Sequence, residues 1–114
     1  MGITMYEYKA LVTKVYDADT ITVDIDLGFG VVLKKQKIRL KGINAPEVRG
    51  AERESGIISR DELRKRILDE HVIIKTYKDK KGKYGRWLAS VHVVGSDESI
   101  NDWLIKEGLA ETYK

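Results

Sequence analysis

The chain has 114 residues, of which 42% are hydrophobic and 34% are charged, a balance typical of one folded domain rather than a disordered tail. It has no cysteine, which excludes disulfides, thiolate zinc sites and a cysteine nucleophile. No apolar run approaches the roughly 20 residues that span a bilayer, and the first residues lack the pattern of a secretory signal. The net charge of +3 favours a polyanionic partner only weakly. We expect one monomeric domain over residues 1–114, without membrane association.

Three strands are predicted in the first part of the chain. Residues 20–27 alternate strictly between polar and apolar side chains, which predicts a half-buried strand. Its apolar face is formed by Ile21, Val23, Ile25 and Leu27. An apolar-rich strand over residues 8–16 precedes it, and a third strand over residues 31–41 follows a turn in which Gly28 and Gly30 supply the backbone freedom. Three consecutive strands of this kind form a meander.

The periodicity changes after the "NAPE" segment, and residues 56–70 place their apolar side chains on one side of a helix. These side chains are Ile57, Leu63, Ile67 and Leu68. Ser59 and Glu62 have the spacing of a capping box at the start of this helix. Two i,i+4 ion pairs are also predicted, Asp61 with Lys65 and Glu62 with Arg66.

Two more strands, over residues 72–77 and 86–94, flank the segment "KDKKGKYG", and a second helix follows. Ser99 is its predicted N-cap, and Gly108 is predicted just past its end. Ile100, Trp103 and Leu104 share one face of that helix. The order β-β-β-α-β-β-α is that of an OB-fold, a five-stranded Greek-key barrel with a helix between strands three and four, here with a C-terminal helix added. The predicted class is therefore mainly β with added helices, although the order alone leaves other α+β folds open.

Polar side chains collect where the predicted strands end. An Asp or Asn in a turn is most often only a turn former, and an arginine on a strand is most often solvated. In an OB barrel, however, the first turn, the end of strand three and the start of strand five can lie on one side. Five side chains are then expected to converge: Asp19, Arg39, Asn44, Glu47 and Arg86. Oxygen ligands suit a hard cation such as Ca²⁺, and paired arginines suit a phosphate, so this set indicates a phosphodiesterase site.

Four segments, "DADTITV", "RLKGINAPE", "KYGRWLA" and "INDWLIKEGLA", occur in an order and at separations that resemble the staphylococcal nuclease (thermonuclease) family. The resemblance runs from about Tyr8 to Tyr113. It implies an OB-fold barrel and a Ca²⁺-dependent nuclease that acts on DNA and RNA and leaves 3′-phosphates.

The resemblance also implies roles for individual residues. Asp19 and the backbone carbonyl of Ala45 correspond to calcium ligands, and Glu47 to the carboxylate that polarises the attacking water. Arg39 and Arg86 correspond to the arginines on the scissile phosphate. Lys83 and Tyr84 correspond to residues of the nucleotide pocket, and Tyr113 lies within one position of a pocket tyrosine.

One departure from the family pattern keeps two functions open. Asn44 stands where the family has a second ligating aspartate, and its amide oxygen brings no charge, so weaker calcium binding is expected. The first function is a non-specific nuclease that prefers single strands, as the presence of Arg39, Glu47 and Arg86 favours. The alternative is a non-catalytic OB module that binds nucleic acid or protein through a degraded metal site. A purely structural domain is a third interpretation.

Overall fold

The computed structural model describes residues 5–81 and 86–113, which form a closed five-stranded barrel with two helices. In chain order the elements are β1 (Met5–Asp17), β2 (Thr20–Gly28), β3 (Val31–Leu40), β4 (Ile43–Asn44), a 3-10 turn (Gly50–Glu52), α1 (Arg53–Ile67), β5 (His71–Lys81), β6 (Trp87–Val93), α2 (Ile100–Lys106) and β7 (Glu111–Thr112). The barrel order is β1-β2-β3-β6-β5, with β5 pairing back onto β1 and only β3 and β6 parallel. The OB-fold prediction is confirmed.

The alternation in β2 holds over most of its length. Ile21, Val23 and Ile25 are buried in the barrel, as predicted. The prediction for Leu27 is wrong, because this side chain is 42% exposed. The last β1–β2 pair is Lys9 with Asp26, so Leu27 lies past the paired part of these two strands, on the β2–β3 hairpin.

Phe29 and Gly30 are the two central residues of that hairpin turn, with φ of 56° and 76°. Positive φ at both positions defines a type I′ turn, in which Asn-Gly is the preferred pair. The predicted turn is therefore present, but its first central position is a phenylalanine whose ring is fully exposed. A non-glycine residue in the left-handed region is disfavoured by roughly 1–2 kcal/mol.

The variant Phe29→Asn is expected to raise the free energy of unfolding by about 0.5–1 kcal/mol, because asparagine tolerates the left-handed region and no buried contact is lost. Urea denaturation of the two proteins measures the difference. Phe29→Ala is the matched control, since it removes the ring without relieving the backbone. Equal gains in both variants would show that the exposed ring, not the turn geometry, limits stability.

Helix α1 starts at Arg53, earlier than the predicted residue 56, and its N-cap residue Glu52 makes no side-chain capping hydrogen bond. Ser59 does not cap it: it lies inside the helix, is buried, and donates a hydrogen bond from Oγ to the carbonyl oxygen of Leu109 at 2.7 Å. This bond joins α1 to the chain that follows α2. The predicted i,i+4 ion pairs are replaced by shorter spacings, with Lys65 Nζ 2.9 Å from Glu62 Oε2 and Arg64 Nη1 3.8 Å from Asp61 Oδ1.

Helix α2 follows the prediction closely. The Ser99 side chain accepts a hydrogen bond from the backbone N–H of Asp102 at 3.0 Å, and Gly108 has a φ of 73° just past the helix end. The buried side chain of Asn101 fixes α2 to the barrel, since its Nδ2 donates to the carbonyl of Lys41 at 2.8 Å and its Oδ1 accepts from the N–H of Val91 at 3.0 Å. Neither helix in the described part of the chain is long and apolar enough to cross a membrane.

Candidate active site

Asp19 joins the first turn to the segment after β3. Its carboxylate is 6% exposed; Oδ2 accepts a hydrogen bond from the backbone N–H of Ala45 at 2.9 Å and lies 3.6 Å from Arg39 Nη2. Oδ1 accepts from the hydroxyl of Thr20 at 3.0 Å. Two of the predicted site residues, Arg39 and Ala45, are thus in direct contact with a third, Asp19.

Arg39 is held in place by backbone carbonyls as well as by Asp19. Its Nη1 donates hydrogen bonds to the carbonyl oxygens of Leu40 and Ile43, each at 2.9 Å. The ring centroid of Tyr113 lies 5.9 Å from the guanidinium carbon of Arg39, within the range of a cation–π contact. Tyr113 is 60% exposed, so its ring remains open to a ligand beside Arg39.

Glu47 and Arg86 line one open cavity of about 470 Å³ on the outer face of β1, β2 and β3. The other residues that line it are Lys14, Tyr16, Asp17, Thr20, Thr22 and Lys37. Arg86 Nη1 donates to the hydroxyl of Thr20 at 3.4 Å, and that hydroxyl in turn donates to Asp19. Thr20 therefore connects the Glu47–Arg86 cavity with the contacts around Asp19.

Asn44 lines a second cavity, of about 390 Å³, formed with Ala45, the first half of α1 and residues 108–111, and none of the described residues lines both cavities. Ile43 and Ala45 are buried, whereas Asn44 between them is exposed. The predicted Lys83 and Tyr84 fall outside the described residues.

Asp17 is a further carboxylate beside Asp19, an Asp in a turn that was not among the five side chains expected to converge. It does form the turn, because its Oδ1 accepts the backbone N–H of Asp19 at 3.1 Å. It is also buried, and burial together with the hydrogen bond and negative charge of Asp19 raises its pKa to about 7, with a smaller contribution from Glu47. Within residues 5–81 and 86–113 no three His, Cys, Asp or Glu side chains are grouped closely enough to hold a metal ion.

Replacing the Asp17 carboxylate is expected to change how the free energy of unfolding depends on pH. Because the pKa of Asp17 rises from 3.8 to about 7 on folding, the native state keeps a proton that the unfolded state releases, and the free energy of unfolding falls as pH rises through this window. The isosteric variant Asp17→Asn keeps the hydrogen-bond acceptor and should remove that fall. Above pH 7 it should be more stable than the parent by on the order of a few kcal/mol.

Urea denaturation across this pH range, in the presence of a chelator, measures the effect. The matched control is Asp97→Asn, which changes an exposed aspartate far from the turn. If the free energy of unfolding depends on pH in the same way in the parent and in Asp17→Asn, then folding does not raise the pKa of Asp17.

The chain resembles known proteins of one family. Residues 37–114, which include Arg39, Glu47 and Arg86, match the family described as staphylococcal nuclease homologue. The chain is 33% identical over 103 residues to a thermonuclease of Staphylococcus intermedius, a match that covers 88% of this chain and 56% of that protein. It is also 33% identical over 106 residues to a thermonuclease of Staphylococcus hyicus, covering 90% and 57%. The chain therefore spans little more than half the length of these relatives.

Proposed function

On the premise that the chain belongs to the staphylococcal nuclease homologue family, we propose that it is a Ca²⁺-dependent nuclease. It would hydrolyse the phosphodiester bonds of DNA and RNA, without base specificity and with a preference for single strands, and leave 3′-phosphates. The observation that carries the proposal is the shared cavity of Glu47 and Arg86, which places a carboxylate and a guanidinium around one open volume.

Glu47 is the proposed general base. Its side chain is exposed to the cavity, where a water molecule can reach it, and its backbone N–H donates to Glu52 Oε1 at 3.4 Å. A carboxylate in this position takes a proton from the water that attacks phosphorus. The 3-10 turn that carries Glu52 therefore helps to hold the proposed base.

Arg86 and Arg39 are the proposed phosphate-binding groups. A guanidinium presents five N–H donors in a planar fork and matches two non-bridging oxygens of a phosphate. The Nη1 of Arg39 is occupied by two backbone carbonyls and its Nη2 lies 3.6 Å from Asp19 Oδ2, so a phosphate would share Nη2 with Asp19. Both arginines would stabilise the charge that grows on the equatorial oxygens as the attacking oxygen approaches phosphorus.

The donors at the first turn fit a calcium ion in chemical type. Carboxylate and carbonyl oxygens are the ligands that Ca²⁺ prefers, and the turn brings the side chains of Asp17 and Asp19 close together. Asp19 and the carbonyl of Ala45 would hold the ion, with the amide of Asn44 as an uncharged and weaker third ligand. The bound ion would supply charge neutralisation at the phosphate.

The shape of the cavity supports the preference for single strands. It is open to solvent on the outer face of the barrel, where a splayed-out backbone reaches Glu47 more readily than a paired one. Lys83, Tyr84 and Tyr113 are proposed to contact the nucleotide next to the cleaved bond. Of these, Tyr113 lies beside Arg39.

Digestion of single-stranded DNA and RNA with added Ca²⁺, and with a chelator instead, tests the proposal. Hydrolysis only with Ca²⁺, to products whose masses show 3′-phosphates, is expected. Binding without hydrolysis under both conditions would instead establish the non-catalytic OB module, an outcome that the uncharged amide of Asn44 would explain.

A further inference from the structure

We propose that the outer face of β1, β2 and β3 carries a second nucleotide subsite, with Tyr16 as the platform for a base and Lys14 and Lys37 as contacts to a phosphate. This inference rests on the proposed function and deepens it. It assigns the nucleotide on the Glu47 and Arg86 side of the cleaved bond, whereas Tyr113 lies beside Arg39 and does not line this cavity.

Tyr16 has the exposure and the fixed position that a stacking platform needs. It is 40% exposed near the end of β1 and lines the same cavity as Glu47 and Arg86. Its hydroxyl accepts a hydrogen bond from Arg49 Nη2 at 2.9 Å, which fixes the polar end of the side chain. Part of the side chain remains exposed to a ligand. Every base has a π-face, and stacking on such a ring is therefore independent of base identity.

Lys14 and Lys37 form one row with Thr22 between them. Strand pairing places Lys14 opposite Thr22, and Thr22 opposite Lys37. Because neighbouring strands lie about 4.8 Å apart, the two lysine backbones are separated by roughly 10 Å, and their long side chains can approach one phosphate from both sides. Both side chains are exposed, and neither forms an ion pair within the described part of the chain.

The carboxylates and the lysines occupy different rows of the sheet. Asp17 and Arg39 flank Thr20, two residues along β2 from Thr22. Two residues of a strand span about 7 Å, the scale of one backbone step in an extended nucleic acid. A single-stranded nucleic acid whose scissile phosphate lies at Arg86 would then place its adjoining phosphate over Lys14 and Lys37. That phosphate would lie away from Asp17, and a base would lie beside Tyr16.

Two other interpretations of the same residues give different expectations. The bond between Tyr16 and Arg49 could serve only to tether the segment that follows Glu47, since Arg49 lies two residues after that carboxylate. The lysines could be an ordinary solvated surface. The variants Tyr16→Phe and Tyr16→Ala distinguish a stacking role from a tethering role. Phenylalanine keeps the ring and loses only the hydrogen bond to Arg49, whereas alanine loses both.

The test is binding of fluorescein-labelled oligothymidylate, followed by anisotropy in the presence of chelator so that no hydrolysis occurs. Tyr16→Ala is expected to weaken binding by about tenfold or more, and Tyr16→Phe to stay within about twofold of the parent. Lys14→Ala and Lys37→Ala should each reduce the slope of log K against log salt by roughly 0.7. Lys9→Ala, an exposed lysine on β1 at the opposite end of the barrel, should leave affinity and slope unchanged.

Equal losses in Tyr16→Phe and Tyr16→Ala would overturn the platform, and lysine variants that behave like Lys9→Ala would overturn the phosphate contacts. A parent protein that does not bind the oligonucleotide at low salt would overturn both. The subsite and the nuclease fail separately: the expected binding pattern without Ca²⁺-dependent hydrolysis would refute only the nuclease, and hydrolysis with unchanged binding in all variants would refute only the subsite. Circular dichroism of each variant verifies that it is folded.

Discussion

Glu47→Gln is expected to lower the rate constant for hydrolysis of single-stranded DNA by about 10²- to 10⁴-fold at saturating Ca²⁺. Glutamine has the same shape but cannot take a proton from water, so the proposed general base is lost while the cavity keeps its form. Because Glu47 is exposed, the free energy of unfolding should stay within about 0.5 kcal/mol of the parent. Steady-state kinetics and urea denaturation of the same preparation measure both quantities.

Two comparisons make this result specific. Glu70→Gln, which changes an exposed glutamate before β5, should keep full activity. Oligonucleotide binding by Glu47→Gln in chelator should equal or exceed that of the parent, since a negative charge leaves the cavity. A Glu47→Gln variant as active as the parent would show that Glu47 is not the general base. A different group would then have to activate the water at the phosphate that Arg86 binds.

Local patterns predicted the barrel and its helices well where the deciding interaction lies within a few residues. The alternation of Ile21, Val23 and Ile25 and the cap at Ser99 are examples, because burial and capping act within a few residues. The same alternation misplaced Leu27, since no pattern in β2 shows where its pairing with β1 ends. Likewise, Ser59 has the spacing of a cap, but its partner is Leu109, fifty residues away.

The site was predictable in part, for a similar reason. The contacts between Asp19, Arg39 and Ala45 follow from strand ends that meet on one side of an OB barrel. Asn44 lines a different cavity from Glu47 and Arg86, and a strand of only two residues gives no usable alternation from which the sequence could show this. The burial of Asp17, which raises its pKa, also depends on the packed turn rather than on neighbouring residues.

Gly56 is the residue through which helix packing should control the position of Glu47, and Gly56→Ala tests this coupling. A Cβ added at Gly56 would lie 2.8 Å from the backbone nitrogen of Val48 and still closer to the carbonyl group of Glu47. Neither neighbour is a side chain that can rotate away. Alanine gains about 1 kcal/mol of helix propensity over glycine, but overpacking against fixed backbone costs roughly 1–3 kcal/mol, so we expect a net loss of stability.

The loss of activity should exceed what the loss of stability explains. To admit the methyl group, α1 and the Glu47 segment must separate, and displacing a catalytic group by about 1 Å can lower a rate by about 10²-fold. We therefore expect kcat to fall by about that factor in protein that is still folded, while oligonucleotide affinity in chelator changes little. Ser55→Ala, an exposed neighbour in α1, controls for helix propensity and should keep full activity. A Gly56→Ala variant that is more stable and fully active would show that α1 does not fix the carboxylate, because the helix could then shift without moving Glu47.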